Sequence, residues 1–157
     1  MDRENNVFYW LPCSVVFVCT AHGETRDIMT ATAMFVSEKE PLLAISVAQG
    51  HLTEKLINQS GKFTLVIAGI EHKKLAMQVG SIKGEAADKF EKFNIPTEKD
   101  TGTPIPKGSA AWLECQVENS HEIKGYRIFI GRVVNQEDLK QPPLVWHKDR
   151  FLGLQPV

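Results

Sequence analysis

The chain has 157 residues, 43% of them hydrophobic and 24% charged, with 18 Lys and Arg against 19 Asp and Glu for a net charge of −1. That is about one domain's length with enough apolar residues for a core, and its scattered basic residues build no face that would release counterions from a nucleic acid. No apolar run reaches the ~18 residues of a membrane span, and Met1 to Asn6 is polar and mixed in charge, unlike a secretory leader, so the expectation is one soluble, cytoplasmic domain over 1–157 with no membrane partner.

In chain order, Leu11 to Thr20 is β-branched and aromatic, the turn signal His22-Gly23 follows, and Arg26 to Thr32 resumes the pattern; together they predict a hairpin. The second strand, Arg26-Asp27-Ile28-Met29-Thr30-Ala31-Thr32, carries an acid and two hydroxyls among its apolar residues and so has polar atoms to offer a ligand. Ser37 to Pro41 breaks the pattern, and Leu42 to Val47 reads as a third strand covered on both faces. Leu52 to Gly61 predicts a short helix, with Thr53 as N-cap, a Leu52–Ile57 staple and Gly61 as the left-handed stop. Phe63 to Ala68 returns to strand. Glu71 to Val79 and Glu85 to Phe93 read as two helical segments with Leu75, Val79, Phe90 and Phe93 inward, and the Pro- and Gly-rich stretch from 96 to 108 reads as a loop. Trp112 to Glu118 alternates, placing Leu113, Cys115 and Val117 on one buried face and the other in water. Tyr126 to Val134 forms its partner, and two short strands are expected at Leu144 to His147 and Phe151 to Leu154. Six or seven strands with helices inserted between them give an α+β class. A closed or split antiparallel barrel is the natural way to bury so many edges.

The chemistry is sparse. No GxGxxG follows a strand and no GxxxxGK[ST] occurs, so neither a Rossmann fold nor a P-loop is supported. The five histidines lack HxxxH or HExxH spacing, and Cys13, Cys19 and Cys115 include no CxxC pair, which gives no metal site and predicts reduced, buried thiols. No GxSxG elbow appears. What remains is hydroxyls and amides at strand ends, and the run from Ser46 to Thr53 that enters a helix N-terminus, where free N–H groups and the helix dipole favour an anion such as phosphate, with His51 and Thr53 as further donors. Phe8, Tyr9 and Trp10 are candidates to seal a dimer or plug a barrel end.

Several of these pieces, in order, resemble the flavin reductase-like family of FMN-binding split barrels: Leu11-Pro12 leading to Val15 to Val18, Asp27 to Thr32, Pro41 to Val47, His51-Leu52-Thr53, Gly61-Lys62-Phe63, Asp88-Lys89-Phe90, Leu113-Glu114-Cys115 and Ile128 to Val133. The resemblance covers residues 8 to 154. It implies a split barrel, a homodimer with FMN near its interface, and action either as an NAD(P)H:flavin oxidoreductase that hands reduced flavin to another enzyme, or as a flavoredoxin-type carrier serving an electron-transfer protein. A module without flavin chemistry is the remaining reading. Carried over by residue, Asp27, Met29, Thr30, Ala31 and Thr32 lie along the flavin. Ser46, Val47, Ala48, His51 and Thr53 approach the ribityl chain and phosphate, and Lys89 with Phe90 closes over the ligand. The sequence departs from the family pattern where Asp27 and Val66 replace Asn and Arg127 replaces His. A carboxylate at 27 can accept from the flavin N3–H but cannot donate to a carbonyl.

Overall fold

The computed structural model describes residues 6–100 and 102–157, leaving aside the side chains of 99 and 100, so the polar start at 1–5 lies outside the described residues. A short helix α1 (Val7–Trp10) and β1 (Cys13–Ser14) lead into the expected hairpin of β2 (Val16–His22) and β3 (Thr25–Ala31). β4 (Ala33–Ser37) and β5 (Leu42–Ala48) follow, then α2 (Leu52–Ser60), β6 (Lys62–Ile67), α3 (Lys73–Gly80) and α4 (Lys89–Lys92). The last third holds β7 (Thr97–Asp100), β8 (Pro104–Pro106), the long pair β9 (Ala111–Ile123) and β10 (Tyr126–Asp138), and the short β11 (Val145–His147) and β12 (Arg150–Leu152).

Seven strands form one antiparallel sheet in the order β3-β2-β6-β9-β10-β5-β4, and β1, β11 and β12 form a second, small one. Its two edge strands, β3 and β4, are separated in the chain by Thr32 alone. One residue spans only about 3.5 Å, so the sheet curves to bring the end of β3 beside the start of β4. The side-chain alternation then sorts residues between two cores. The inner one gathers Val16, Val18, Leu43, Ile45, Val47, Ile57, Phe63, Leu65, Cys115 and Phe129. The outer one, between the sheet and α3 and α4, gathers Phe17, Cys19, Ile28, Val66, Ala76, Val79, Phe90 and Trp112. Each fully buried large side chain contributes ~1.5–3 kcal/mol, so the two layers together carry the fold.

Four expectations need correction. The stretch from 96 to 108 is not a plain loop, because β7 and β8 pair there as a two-stranded ribbon; prolines 104 and 106 are tolerated since a ribbon has an outer side needing no donor. The second face of β9 is not simply wetted, since Trp112 is buried in the outer core. β5 is not covered on both faces, because Ser46 is exposed between buried Ile45 and Val47. Thr53 is not an N-cap. His51 occupies that position without a side-chain cap bond, and Thr53 lies inside α2, 1% exposed. Gly61 does close α2 in the left-handed conformation, φ 69°. Leu75, Val79, Phe90 and Phe93 all face the outer core as expected.

Candidate functional site

The rolled sheet leaves a cavity of about 710 Å³ on the outer side of β3 and β5. Its wall is built from four sources. The end of β3 and its exit supply Met29, Thr30, Ala31 and Thr32, and β5 supplies Ser46. Helix α3 and the turn after it bring Ala76, Met77, Gly80 and Ser81. Aromatic rings enclose the rest: Phe8 from α1, Tyr126 from β10, and Trp146 with Phe151 from the C-terminal hairpin, the last two in edge-to-face contact at 4.9 Å. Thr30 Oγ1 donates to Ala76 O at 2.7 Å and so fixes the width of the cavity between β3 and α3. Among the described residues, Asp149 is the one charged residue of the lining. Planar aromatic walls with a few hydroxyls suit a flat, heteroaromatic ligand.

Of the sequence-predicted site residues, Met29, Thr30, Ala31, Thr32 and Ser46 come together in this wall. The other seven lie elsewhere. Val47 is fully buried in the inner core, and Ala48 ends β5 opposite Tyr126. Phe90 packs in the outer core beneath the Arg26 guanidinium, 4.8 Å from the ring centroid. Asp27, Thr53 and Lys89 are brought together, but with each other: Thr53 Oγ1 donates to Asp27 Oδ2 at 2.6 Å and Lys89 Nζ lies 3.1 Å from Oδ1. His51 stands at the start of α2, outside the cavity.

The start of α2 also differs from an open anion site. Glu54, in the first turn, reaches back so that its Oε2 accepts from the Gly50 N–H at 2.8 Å, while Oε1 accepts from Arg127 Nε at 2.8 Å. The chain's own carboxylate thus lies beside the start of α2, bound to the N–H that precedes the cap. Burial acts to raise the Glu54 carboxyl, but the hydrogen bonds from Arg127 and Gly50, the Arg127 charge and Asn58 outweigh it and hold the carboxyl below its usual 4.5. Asp88 behaves alike. Burial is outweighed there by Arg26 and the N–H groups of Glu91 and Phe90, which hold it below 3.8. Carboxyls lowered by folding lend stability that is complete above their ordinary values and is lost as pH falls through the lower, folded ones. Urea unfolding midpoints should therefore decline as pH drops below about 4.5, and Glu54→Gln should flatten that decline; parallel pH profiles for the two proteins would remove Glu54 from the account.

The departures from the family pattern find structural explanations. Val66 is fully buried, Arg127 is held between Glu54 and Glu122, and Asp27 is paired with Lys89. Cys19 and Cys115 are buried and Cys13 is half-buried, all three as free thiols; burial pushes the Cys115 thiol up to about 12, far from a nucleophile's range. The walls from α3, Tyr126 and the Trp146–Phe151 hairpin carried no local signal in the sequence. They reach the cavity only through tertiary packing.

Residues 9–155 match the flavin reductase like domain family. YddH of Escherichia coli, an uncharacterized protein, is 35% identical over 99 residues, 60% of this chain and 52% of its own length. The chain thus matches about half of that relative. HsaB of Rhodococcus jostii, the reductase subunit of a flavin-dependent monooxygenase, is 25% identical over 147 residues, 92% of this chain and 73% of its own. In structure, the Streptomyces globisporus NADH:FAD oxidoreductase SgcE6 superposes with a TM-score of 0.85 at 22% identity, over 98% of this chain and 93% of that one, which establishes a shared fold. With the family matched over nearly the whole chain and the fold shared, the protein belongs to the flavin reductase-like domain family.

Proposed function

We propose that the protein is an NAD(P)H-dependent flavin reductase that takes FMN into the cavity between β3, β5 and α3. The observation that carries this reading is the cavity itself, large enough for a tricyclic ring and lined by aromatic rings and hydroxyls, in a chain of this family. A flavin supplies the hydride chemistry when bound, so the protein needs no acid–base dyad. Met29, Thr30, Ala31, Thr32 and Ser46 would hold the ring, with Thr32 and Ser46 contributing hydroxyls. Phe8, Trp146 and Phe151 would exclude water from it. Among the described residues the lining offers no cation for a phosphate, so in this reading recognition centres on the ring and the tail extends outward. Asp27, Thr53, Lys89, Val47 and Phe90 support the wall from behind.

The rolled sheet, open between β3 and β4, supports reading the architecture as a split barrel. β4 supports a homodimer: it is an edge strand on which Met34, Phe35 and Val36 are 67%, 72% and 44% exposed, and apolar edges of this kind are normally covered. Reduced flavin would pass to a flavin-accepting enzyme, such as a monooxygenase, or to an electron-transfer protein. The test is the visible spectrum of the purified protein with FMN added, followed by NADH or NADPH without oxygen. Bound flavin should bleach promptly with a nicotinamide. Bleaching only by dithionite would identify a carrier, and no binding would reject the site.

A further inference from the structure

Edge strand β3 turns its outer side toward α4, and one side chain bridges them from a fully enclosed position. Lys89 and Asp27 are 4% and 2% exposed as side chains. The Lys89 ammonium makes its aligned hydrogen bond to the main-chain carbonyl of Ile28, at 2.7 Å. It lies 3.1 Å from Asp27 Oδ1 as an ion pair, yet that oxygen receives no aligned hydrogen bond, whereas Oδ2 accepts from Thr53. The turn before α4 presses on the same carboxylate: a Cβ at Gly84 would stand 2.6–2.8 Å from its atoms. Outside this cluster, Arg26 binds Asp88 at 2.8 Å and covers Phe90.

A buried ion pair is a weak source of net stability, so its presence calls for another explanation. The geometry supplies one. The carbonyl that Lys89 holds belongs to the residue immediately before Met29, where the cavity-lining part of β3 begins, and the segment carrying Lys89 starts from Gly80 and Ser81 on the opposite wall. We propose that Lys89 is a positioning residue, which fixes the outer edge of β3 to the 80–89 segment and thereby holds residues 29–32 in place around the ligand. This rests on the flavin-site reading only for what the cavity binds.

The test compares wild type, Lys89→Met and the double variant Lys89→Met/Asp27→Asn by amide hydrogen exchange without ligand and by FMN titration. Lys89→Met should speed exchange across residues 29–32 by about tenfold or more while β9 and β10 keep their protection, and should weaken FMN binding by a similar factor. The double variant removes both charges, so its melting temperature should recover toward wild type while fast exchange at 29–32 and weak FMN binding persist, because Ile28 still lacks its donor. Recovery of protection and affinity together with stability would overturn the proposal, as would exchange in Lys89→Met that rises uniformly or not at all. Should Lys89→Met fail to fold, the double variant against wild type gives the same decision. Should wild type bind no FMN, the proposed function falls and the exchange pattern still decides the role of Lys89.

Discussion

Ser46→Trp should weaken FMN binding by about 100-fold or more and leave the melting temperature nearly unchanged. Ile45 and Val47 point into the inner core at 2% and 0% exposure, so the period of two turns Ser46 to the other face, where it lines the cavity. Tryptophan suits a strand, and an exposed position gives its ring room that requires no repacking of the core. The indole would bring roughly 200 Å² of surface into the space that a flavin ring needs. Displacing a bound ring at a cost of about 3 kcal/mol corresponds to the hundredfold loss. Ser46→Ala is the control: it removes a hydroxyl but no space, and should cost about 1 kcal/mol of binding at most. Fluorescence titration with FMN alongside thermal melts separates the two. Full affinity in Ser46→Trp would place the flavin outside this cavity.

How far the sequence alone reaches depends on whether a residue's partner is local. The β2–β3 hairpin, the Gly61 stop and the inward face of Leu113, Cys115 and Val117 all follow from patterns within about ten residues, and the structure has each of them. Thr53 shows the opposite. A threonine beside a helix start reads as a cap until its hydroxyl is seen to be committed to Asp27 on β3, 26 positions earlier. Lys89 differs in the same way, since its ammonium serves a carbonyl 61 positions away. The anion site read at the start of α2 did not allow for Glu54, whose carboxylate is matched by Arg127 across 73 positions. β9 and β10 run past the residues where their apolar alternation ends, because the exposed end of each strand pairs with the part of the other that carries core residues. For the cavity, the strand-borne half was legible in Met29 to Thr32 and Ser46, which carry their hydroxyls on apolar strands. The half made by Met77, Tyr126 and Trp146 was not, because nothing near these residues distinguishes them from ordinary core or surface.

Gly69→Ala should be a strongly damaging single-methyl change, although Gly69 lies outside the cavity lining. Its backbone is ordinary, with φ −78° and ψ 163°, so conformational strain is not the reason. Space is. A Cβ there would stand 1.9 Å from the Gly108 carbonyl oxygen and 3.1 Å from its carbon, and a main-chain atom cannot rotate away as a side chain would. Nor can either segment slide. The Gly69 N–H donates to His72 Nδ1 at 3.2 Å, which leaves Nε2 to carry the proton toward the Lys107 carbonyl at 2.8 Å. Next to it, Ala68 N–H binds Val15 O and Ile70 N–H binds Pro142 O, at 3.0 and 2.8 Å. The added methyl would therefore push apart two clamped backbones at the point where the chain leaves β6 for α3. Overpacking of this kind costs about 3 kcal/mol or more, which in a domain of this size lowers the melting temperature by roughly 6–12 °C. The displacement would pass into α3, whose Ala76 carbonyl holds Thr30 and whose Met77 and Gly80 face the ligand space, so FMN affinity should fall together with stability. A melting temperature within about 2 °C of wild type would show that the 107–109 turn yields, and would separate the docking of α3 from the shape of the cavity.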